Sequence, residues 1–105
     1  MIEKDSHIST GTPSGKRIVL SEFRWNLIIQ VKHPEMDGKK KEIIETISNP
    51  DEIRVSKSDE TVYVHYRHLK SHSLAVVIKY LNGDGFVITA YQTDRIKEGK
   101  QVYRK

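Results

Sequence analysis

The spacing of apolar residues follows a helical period in the first half of the chain. A first set recurs at three- and four-residue intervals, at Phe23, Leu27, Ile28 and Val31. This spacing predicts a helix over residues 21–33, with Ser21 as the N-cap. Pro34 disfavours helical geometry at His33, so the helix should end there. A second set, Ile43, Ile44 and Ile47, predicts a short second helix that ends before Asn49 and Pro50.

After Pro50 the period becomes two, which is typical of strands. Ile53 and Val55 predict a short strand, and three longer strands follow in the runs TVYVHYRHL, SLAVVIKYL and GFVITAYQT. Short turns between them favour an antiparallel meander. We therefore expect the α+β class, with two N-terminal helices packed on one face of a four-stranded antiparallel sheet. The polar residues 1–16 read as a flexible tail, and residues 17–105 as one domain.

One set of alternate positions along these strands is polar or cationic: Tyr63, His65, Arg67, Lys79, Thr89 and Tyr91. Successive side chains of a strand point to opposite faces, so we expect these groups to share one surface, which we call the polar wall. The other surface of the sheet should be apolar. The link NGDG can close a two-residue or a three-residue hairpin. Only the odd loop places Ile78 and Ile88 on one face with Lys79 and Thr89 on the other, and burial of the isoleucines favours it.

Composition narrows the possible functions. Lys and Arg number 18 against 14 Asp and Glu, a formal net charge of +4, which modestly favours an anionic partner. The chain has no cysteine, so thiol catalysis and cysteine-bound zinc are excluded. No apolar run approaches the ~20 residues that cross a bilayer, so we expect no membrane contact and a cytoplasmic location. The segment GTPSGK is too short for a phosphate-binding P-loop, and Arg17 stands where Ser or Thr should follow.

Four short motifs follow one another along the chain from the first predicted helix to the last predicted strand. They are WNLIIQVKHPEM (25–36), ETISNPDEI (45–53), VHYR (64–67) and FVITAYQT (86–93). Together they resemble the superfamily that groups barnase, EndoU, certain colicin tRNases and RelE toxins, nearest to small uncharacterised members with KHPE after the first helix and a TAY-type last strand. The likeness spans about residues 18–103. It implies metal-independent RNA cleavage, in which the ribose 2′-hydroxyl attacks the adjacent phosphate, with no cofactor and with RNA and an inhibitory antitoxin as partners.

The available side chains fit that chemistry, which needs an acid, a base and cations around the phosphate. We expect His33 to act as acid or base, because imidazole titrates near neutrality. Arg67 and Lys79 would hold the phosphate, and Thr89 and Tyr91 would position it. Five further residues are predicted to contact RNA around this site: Lys32, His65, Lys70, Arg95 and Lys97.

Structural alternatives remain open for each of these residues. His33 could cap its helix as a cation against the dipole, and Arg67 and Lys79 could be ordinary charges on a solvated sheet. A zinc site at His65, His68 and His72 is disfavoured, because the first two should point to opposite faces. Three function classes follow: a toxin-like endoribonuclease, a nucleic-acid-binding module that lacks catalysis, and a protein-interaction domain on the same scaffold.

Overall fold

The computed structural model describes residues 7–96 and 99–105, which form seven strands and two α-helices. The strands are β1 His7–Gly11, β2 Arg17–Ser21, β3 Glu52–Val55, β4 Val62–His68, β5 Ser73–Tyr80, β6 Asp84–Thr93 and β7 Lys100–Arg104. The helices are α1 Glu22–Leu27 and α2 Lys40–Ser48. Between them lie a π-helical turn, Ile28–Lys32, and a 3-10 turn, Pro34–Met36.

The described strands make one mixed sheet in the order β1-β2-β6-β5-β4-β3-β7. β2 and β6 run parallel, whereas the other neighbouring pairs are antiparallel. The predicted four-stranded antiparallel meander under two N-terminal helices is therefore wrong. The four strands β3 to β6 do pair consecutively, but an N-terminal hairpin extends the sheet beyond β6 and β7 extends it beyond β3.

The N-terminal hairpin lies partly in the segment predicted as a tail. β1 pairs with β2, and the turn between them is closed by the amide of Lys16, which donates to Thr12 Oγ1 over 3.0 Å. Ile18 and Leu20 bury their side chains in the core, and Ile8 packs against it. The tail prediction therefore fails from residue 7 onward, and residues 1–6 lie outside the described part. GTPSGK supplies the hairpin turn. The apolar runs of β1 and β2 are too short to be recognised as strands by period alone.

The helical region follows the predicted signals at its ends. Ser21 Oγ accepts a hydrogen bond from the amide of Arg24 over 3.0 Å, which confirms the predicted N-cap. The helix widens after Leu27, where the amide of His33 donates to the carbonyl of Ile28 over 2.7 Å, and Pro34 then ends it. α2 confirms the second predicted helix. Neither α-helix of the described residues has the length and apolar character needed to span a bilayer.

Both helices pack on one side of the sheet, which we call the helix side. Its strand residues include Leu74, Val76 and Ile78 of β5, all at most 2% exposed. They form one core with apolar residues of β2, β6 and the helical segments, listed as Ile18, Leu20, Val87, Ala90, Trp25, Ile28, Met36, Ile43 and Ile47. The opposite side, which we call the reverse side, carries the alternate β5 residues, Ala75, Val77 and Lys79.

Candidate nucleic-acid interface

The structure divides the predicted polar wall between the two sides of the sheet. Arg67 lies opposite Leu74, which points to the helix side, whereas Lys79 lies opposite Val62 on the reverse side. Residues directly opposite each other in an antiparallel pair point the same way, so the guanidinium and the ammonium leave the sheet in opposite directions. The prediction that these two cations share a surface is wrong. Tyr63 and His65 go with Arg67 to the helix side.

The register of β4 explains this error. Four residues, 69–72, connect His68 to Ser73, which are paired directly. That loop brings the more polar alternate set of β4 to the helix side, because its polar groups find partners there. Arg67 Nη1 donates to Glu45 of α2 over 3.1 Å, and His65 is hydrogen bonded at both ring nitrogens. Satisfied polar groups can be buried at low cost, so the apolar count of the two faces did not decide the register.

Lys79, Thr89 and Tyr91 do share the reverse side, but by a route that differs from the predicted odd loop. Tyr80 pairs with Gly85 around a four-residue turn, and Ile88 is an extra residue in β6 that restores the parity. The even turn also pairs Lys79 with Phe86, which stays 40% exposed. The ammonium of Lys79 contacts Asp59 Oδ2 at 3.4 Å.

His33 and Tyr91 are the predicted catalytic residues that the fold brings together. Their ring centroids are 5.4 Å apart, and His33 Nδ1 is 3.6 Å from Glu35 Oε2. Burial, the neighbouring Tyr66 and a hydrogen bond to it raise the pKa of Tyr91 to about 12, so the phenol stays protonated at neutral pH. The hydroxyl of Thr89 is buried without a partner among the described residues. The guanidinium of Arg67 does not join these described residues, because Arg67 lies on the helix side of the sheet.

The residues predicted to contact RNA differ in exposure and in their place in the fold. Lys32, Lys70 and Arg95 are exposed, and they come from three different connections between elements. Lys97 lies outside the described residues. His65 is fully buried, so the prediction that it contacts RNA is wrong.

His65 instead forms a buried support between α2 and β5. Burial lowers its pKa to about 4, so the imidazole is neutral at pH 7, although backbone contacts to Ile47 and Thr46 oppose the shift. Nδ1 lies 3.1 Å from the carbonyl of Ile47, which only accepts, so Nδ1 carries the proton. Nε2 must then accept from the hydroxyl of Tyr80 at 2.6 Å. This pair of hydrogen bonds fixes where Tyr80 lies, and burial together with nearby Tyr63 raises the pKa of its phenol.

Tyr80 forms the floor of an open cavity of about 300 Å³ on the helix side, at the end of the sheet that the helices leave uncovered. We call it the tyrosine pocket. Three tyrosines from three strands line it, together with the β1–β2 turn and two apolar residues: Tyr63, Tyr80, Tyr103, Pro13, Ser14, Lys16, Ile53 and Val102. The rings of Tyr63 and Tyr80 stack with centroids 4.0 Å apart and planes 19° from parallel. Stacked phenols of this kind offer a flat face to another planar group.

The tyrosine pocket is also electropositive. Lys16 Nζ lies 5.5 Å from the centre of the Tyr80 ring and donates to the carbonyl of Leu81 over 3.1 Å. None of the described residues that line the pocket is acidic. Lys100 lies opposite Val55, which lies opposite Tyr63, so its side chain leaves the sheet on the same side. Rings and cations without carboxylates match what a base and a phosphate require.

Sequence reasoning missed most of this pocket. The alternation predicts Tyr63 on the polar wall, whereas Tyr80 falls in the apolar set that includes Ile78, and Lys16 falls in the predicted tail. The available signal was the recurrence of tyrosine in three separate strands together with a lysine in a turn. The long-range step could not be read from it, because the N-terminal hairpin meets β5 and β7 only in the folded sheet.

Comparisons with protein-family models, with curated proteins and with solved structures found no match. The resemblance to the nuclease superfamily therefore stays a prediction from short motifs. Function has to be inferred from the site itself.

Proposed function

We propose that this protein is a module that binds single-stranded RNA in the tyrosine pocket and does not cleave it. The observation that carries the proposal is the convergence of Tyr63, Tyr80 and Tyr103 with Lys16 in one open cavity that no carboxylate of the described residues lines. Aromatic side chains on neighbouring strands stack with bases regardless of sequence, and each stacked base contributes roughly 1–3 kcal/mol. The resemblance to ribonucleases favours RNA over DNA as the strand that is bound.

The size of the cavity supports a single strand rather than a duplex. A volume of about 300 Å³ lies at the lower end of ordinary small-ligand sites, which suits one unstacked base. In duplex RNA the bases are paired and cannot reach a ring at the bottom of a pocket. Lys16 and Lys100 lie where they can attract the phosphates on either side of that base.

The proposal leaves out catalysis because the predicted cleavage mechanism requires an arrangement of cations that the sheet does not provide. The sequence mechanism needed Arg67 and Lys79 at one phosphate, and the sheet separates them. His33 and Tyr91 alone provide proton-transfer groups without the cation pair that would stabilise the phosphorane. A protein inhibitor of a toxin-like activity stays a prediction of the resemblance.

Fluorescence anisotropy with labelled single-stranded RNA tests the proposal. Tyr103→Leu keeps apolar bulk but removes a ring, and we expect affinity to fall by about 5- to 150-fold, the equivalent of one lost stack. Tyr91→Leu, on the reverse side, is the matched control and should leave affinity unchanged. Equal losses in both variants, or salt-insensitive binding by the wild type, would contradict the proposal.

A second pair of variants tests the phosphate contact. Lys16→Ala should weaken binding to all sequences and reduce the slope of log affinity against log salt by about 1, whereas Lys79→Ala should leave the slope unchanged. The same RNA incubated in EDTA and mapped for end groups should remain intact. Products with cyclic phosphate ends, lost in His33→Ala, would restore the nuclease in place of the binding module.

A further inference from the structure

A second group of polar residues lies on the reverse side, where β3, β4 and β5 meet. Glu52 begins β3, His68 ends β4 and Ser73 begins β5, directly opposite His68. His68 Nδ1 lies 2.7 Å from Ser73 Oγ, and His68 Nε2 lies 2.9 Å from Glu52 Oε1. The imidazole is therefore held between a hydroxyl and a carboxylate, which is the arrangement that activates a serine nucleophile.

Two donors other than His68 hold the carboxylate of Glu52 in place. Glu52 Oε2 accepts from Arg54 Nε over 2.7 Å and from Gln101 Nε2 over 2.9 Å. Burial works to raise the pKa of Glu52, but the donors Gln101, Arg54 and His68 outweigh it and hold that pKa below its ordinary range. The ionised carboxylate can only accept, so Nε2 of neutral His68 carries the proton and Nδ1 accepts from the hydroxyl of Ser73.

A cavity adjoins the group. It has a volume of about 450 Å³ and is lined by Asp51, Glu52, His68, Gln101, Arg104 and Lys105. The His68 side chain is 42% exposed and forms part of its wall, while Ser73 lies behind the imidazole with 9% of its surface exposed. A substrate in the cavity would approach Ser73 alongside the His68 ring. Arg104 and Lys105 place two cations in this lining beside the carboxylates of Asp51 and Glu52, and Glu52 is already bonded to Arg54, Gln101 and His68. The two cations favour an anionic acyl group and its oxyanion.

We propose that Ser73, His68 and Glu52 form an acyl-transfer site for small, negatively charged carboxylic esters, separate from the tyrosine pocket. Ser73 Oγ bonds to the acyl carbon while its proton passes to His68 Nδ1, and the alcohol leaves with that proton. Water then attacks the acyl-serine in the same way, giving its proton to His68, and the carboxylic acid leaves as Oγ regains a proton. Glu52 is a positioning residue, because, of the two reacting side chains, it contacts only the imidazole, whose tautomer it holds.

The chain contains its own control for this proposal. Ser71 Oγ also contacts a histidine, at 3.1 Å from His72 Nδ1, and both residues lie in the nearby loop. Among the described residues no carboxylate contacts His72. If exposure or a neighbouring imidazole were enough to make a serine reactive, Ser71 would therefore react. If a histidine held by a carboxylate is also needed, only Ser73 should react.

Labelling of the full chain with a fluorophosphonate, followed by peptide mapping, tests the proposal. Ser73 should displace fluoride and carry the phosphonyl group, while Ser71 stays unmodified. His68→Gln should slow labelling by about 10²- to 10⁴-fold, the size of a general-base contribution. No adduct at Ser73 in the wild type, or labelling of both serines at similar rates, would overturn the proposal whatever the variants do.

Two further measurements cover the remaining roles. A low-field imidazole proton in the NMR spectrum should mark the His68–Glu52 hydrogen bond. In folded Glu52→Gln this signal should disappear, and labelling of Ser73 should be slower. The 4-nitrophenyl ester of succinate should be hydrolysed faster than 4-nitrophenyl acetate, and Arg104→Ala should remove that preference. Equal rates on both esters in the wild type would overturn the assigned substrate class.

Discussion

His65 and His68 lie three residues apart on β4, and the sheet gives them opposite environments. His65 points to the helix side, is fully buried and is bonded to a carbonyl and a phenol. His68 points to the reverse side, is 42% exposed and is bonded to a serine and a carboxylate. The first histidine supports the tyrosine pocket, and the second lines a cavity of its own.

The contrast shows that the partners of a histidine decide its use more than its place in the sequence does. Without a carboxylate, burial holds His65 neutral and makes it a rigid part of the scaffold. The imidazole of His68 is instead held between the hydroxyl of Ser73 and the carboxylate of Glu52, which is the geometry that proton transfer requires. A one-residue shift of the β4 register would send each imidazole to the other side of the sheet.

The largest expected effect is the loss of folding stability as the pH falls, which should arise from His65. Unfolding returns the pKa of His65 from about 4 to its ordinary 6.5, so the unfolded chain binds the proton first as pH falls. The free energy of unfolding should therefore fall by about 3 kcal/mol between pH 7 and pH 4 on account of His65. Urea denaturation across this range measures it. An identical pH dependence in folded His65→Gln would contradict the assignment.

Removal of the Tyr80 hydroxyl sharpens the account of the helix side. Tyr80→Phe leaves Nε2 of His65 buried without a donor, which should cost about 1–3 kcal/mol of the free energy of unfolding. Tyr103→Phe is the matched control, since the Tyr103 hydroxyl has no hydrogen-bond partner among the described residues, and it should change stability by less than about 0.5 kcal/mol. Equal costs in urea denaturation would break the proposed link between His65 and the pocket.

The smallest effect tests the side-chain parity itself. Arg67→Ala breaks a half-exposed contact with Glu45 and should cost less than about 1 kcal/mol. Because Lys79 lies on the other side of the sheet, the double variant Arg67→Ala/Lys79→Ala should equal the sum of the single variants within about 0.5 kcal/mol. A larger coupling energy would mean that the two cations share a surface after all.

Local signals in the sequence predicted local structure well. The Ser21 cap, the stop at Pro34, the second helix and the strands β3 to β6 all follow from period and turn residues. The short strands β1 and β2 could not be predicted, because too few apolar residues alternate there and their stability comes from packing of Ile18 and Leu20 in the core. Propensity and period do not register such tertiary contributions.

The candidate sites were harder to predict than the strands. A register depends on the face on which each polar group finds a partner. The α2 partners, Glu45 for Arg67 and Ile47 for His65, lie some twenty residues away in sequence. The parity of Lys79 and Thr89 emerged correctly only because the bulge at Ile88 offset an even turn. The relay of Glu52, His68 and Ser73 gave no recognisable spacing, since it joins three strands.

The most direct test of RNA binding on the helix side is photo-crosslinking. Single-stranded RNA containing 4-thiouridine would be irradiated with the wild-type protein, and the modified residues mapped by mass spectrometry. We predict adducts at Tyr63 and Tyr103, on two strands that line the tyrosine pocket. Adducts confined to His33 and Tyr91, which contact each other outside the tyrosine pocket, would contradict the account.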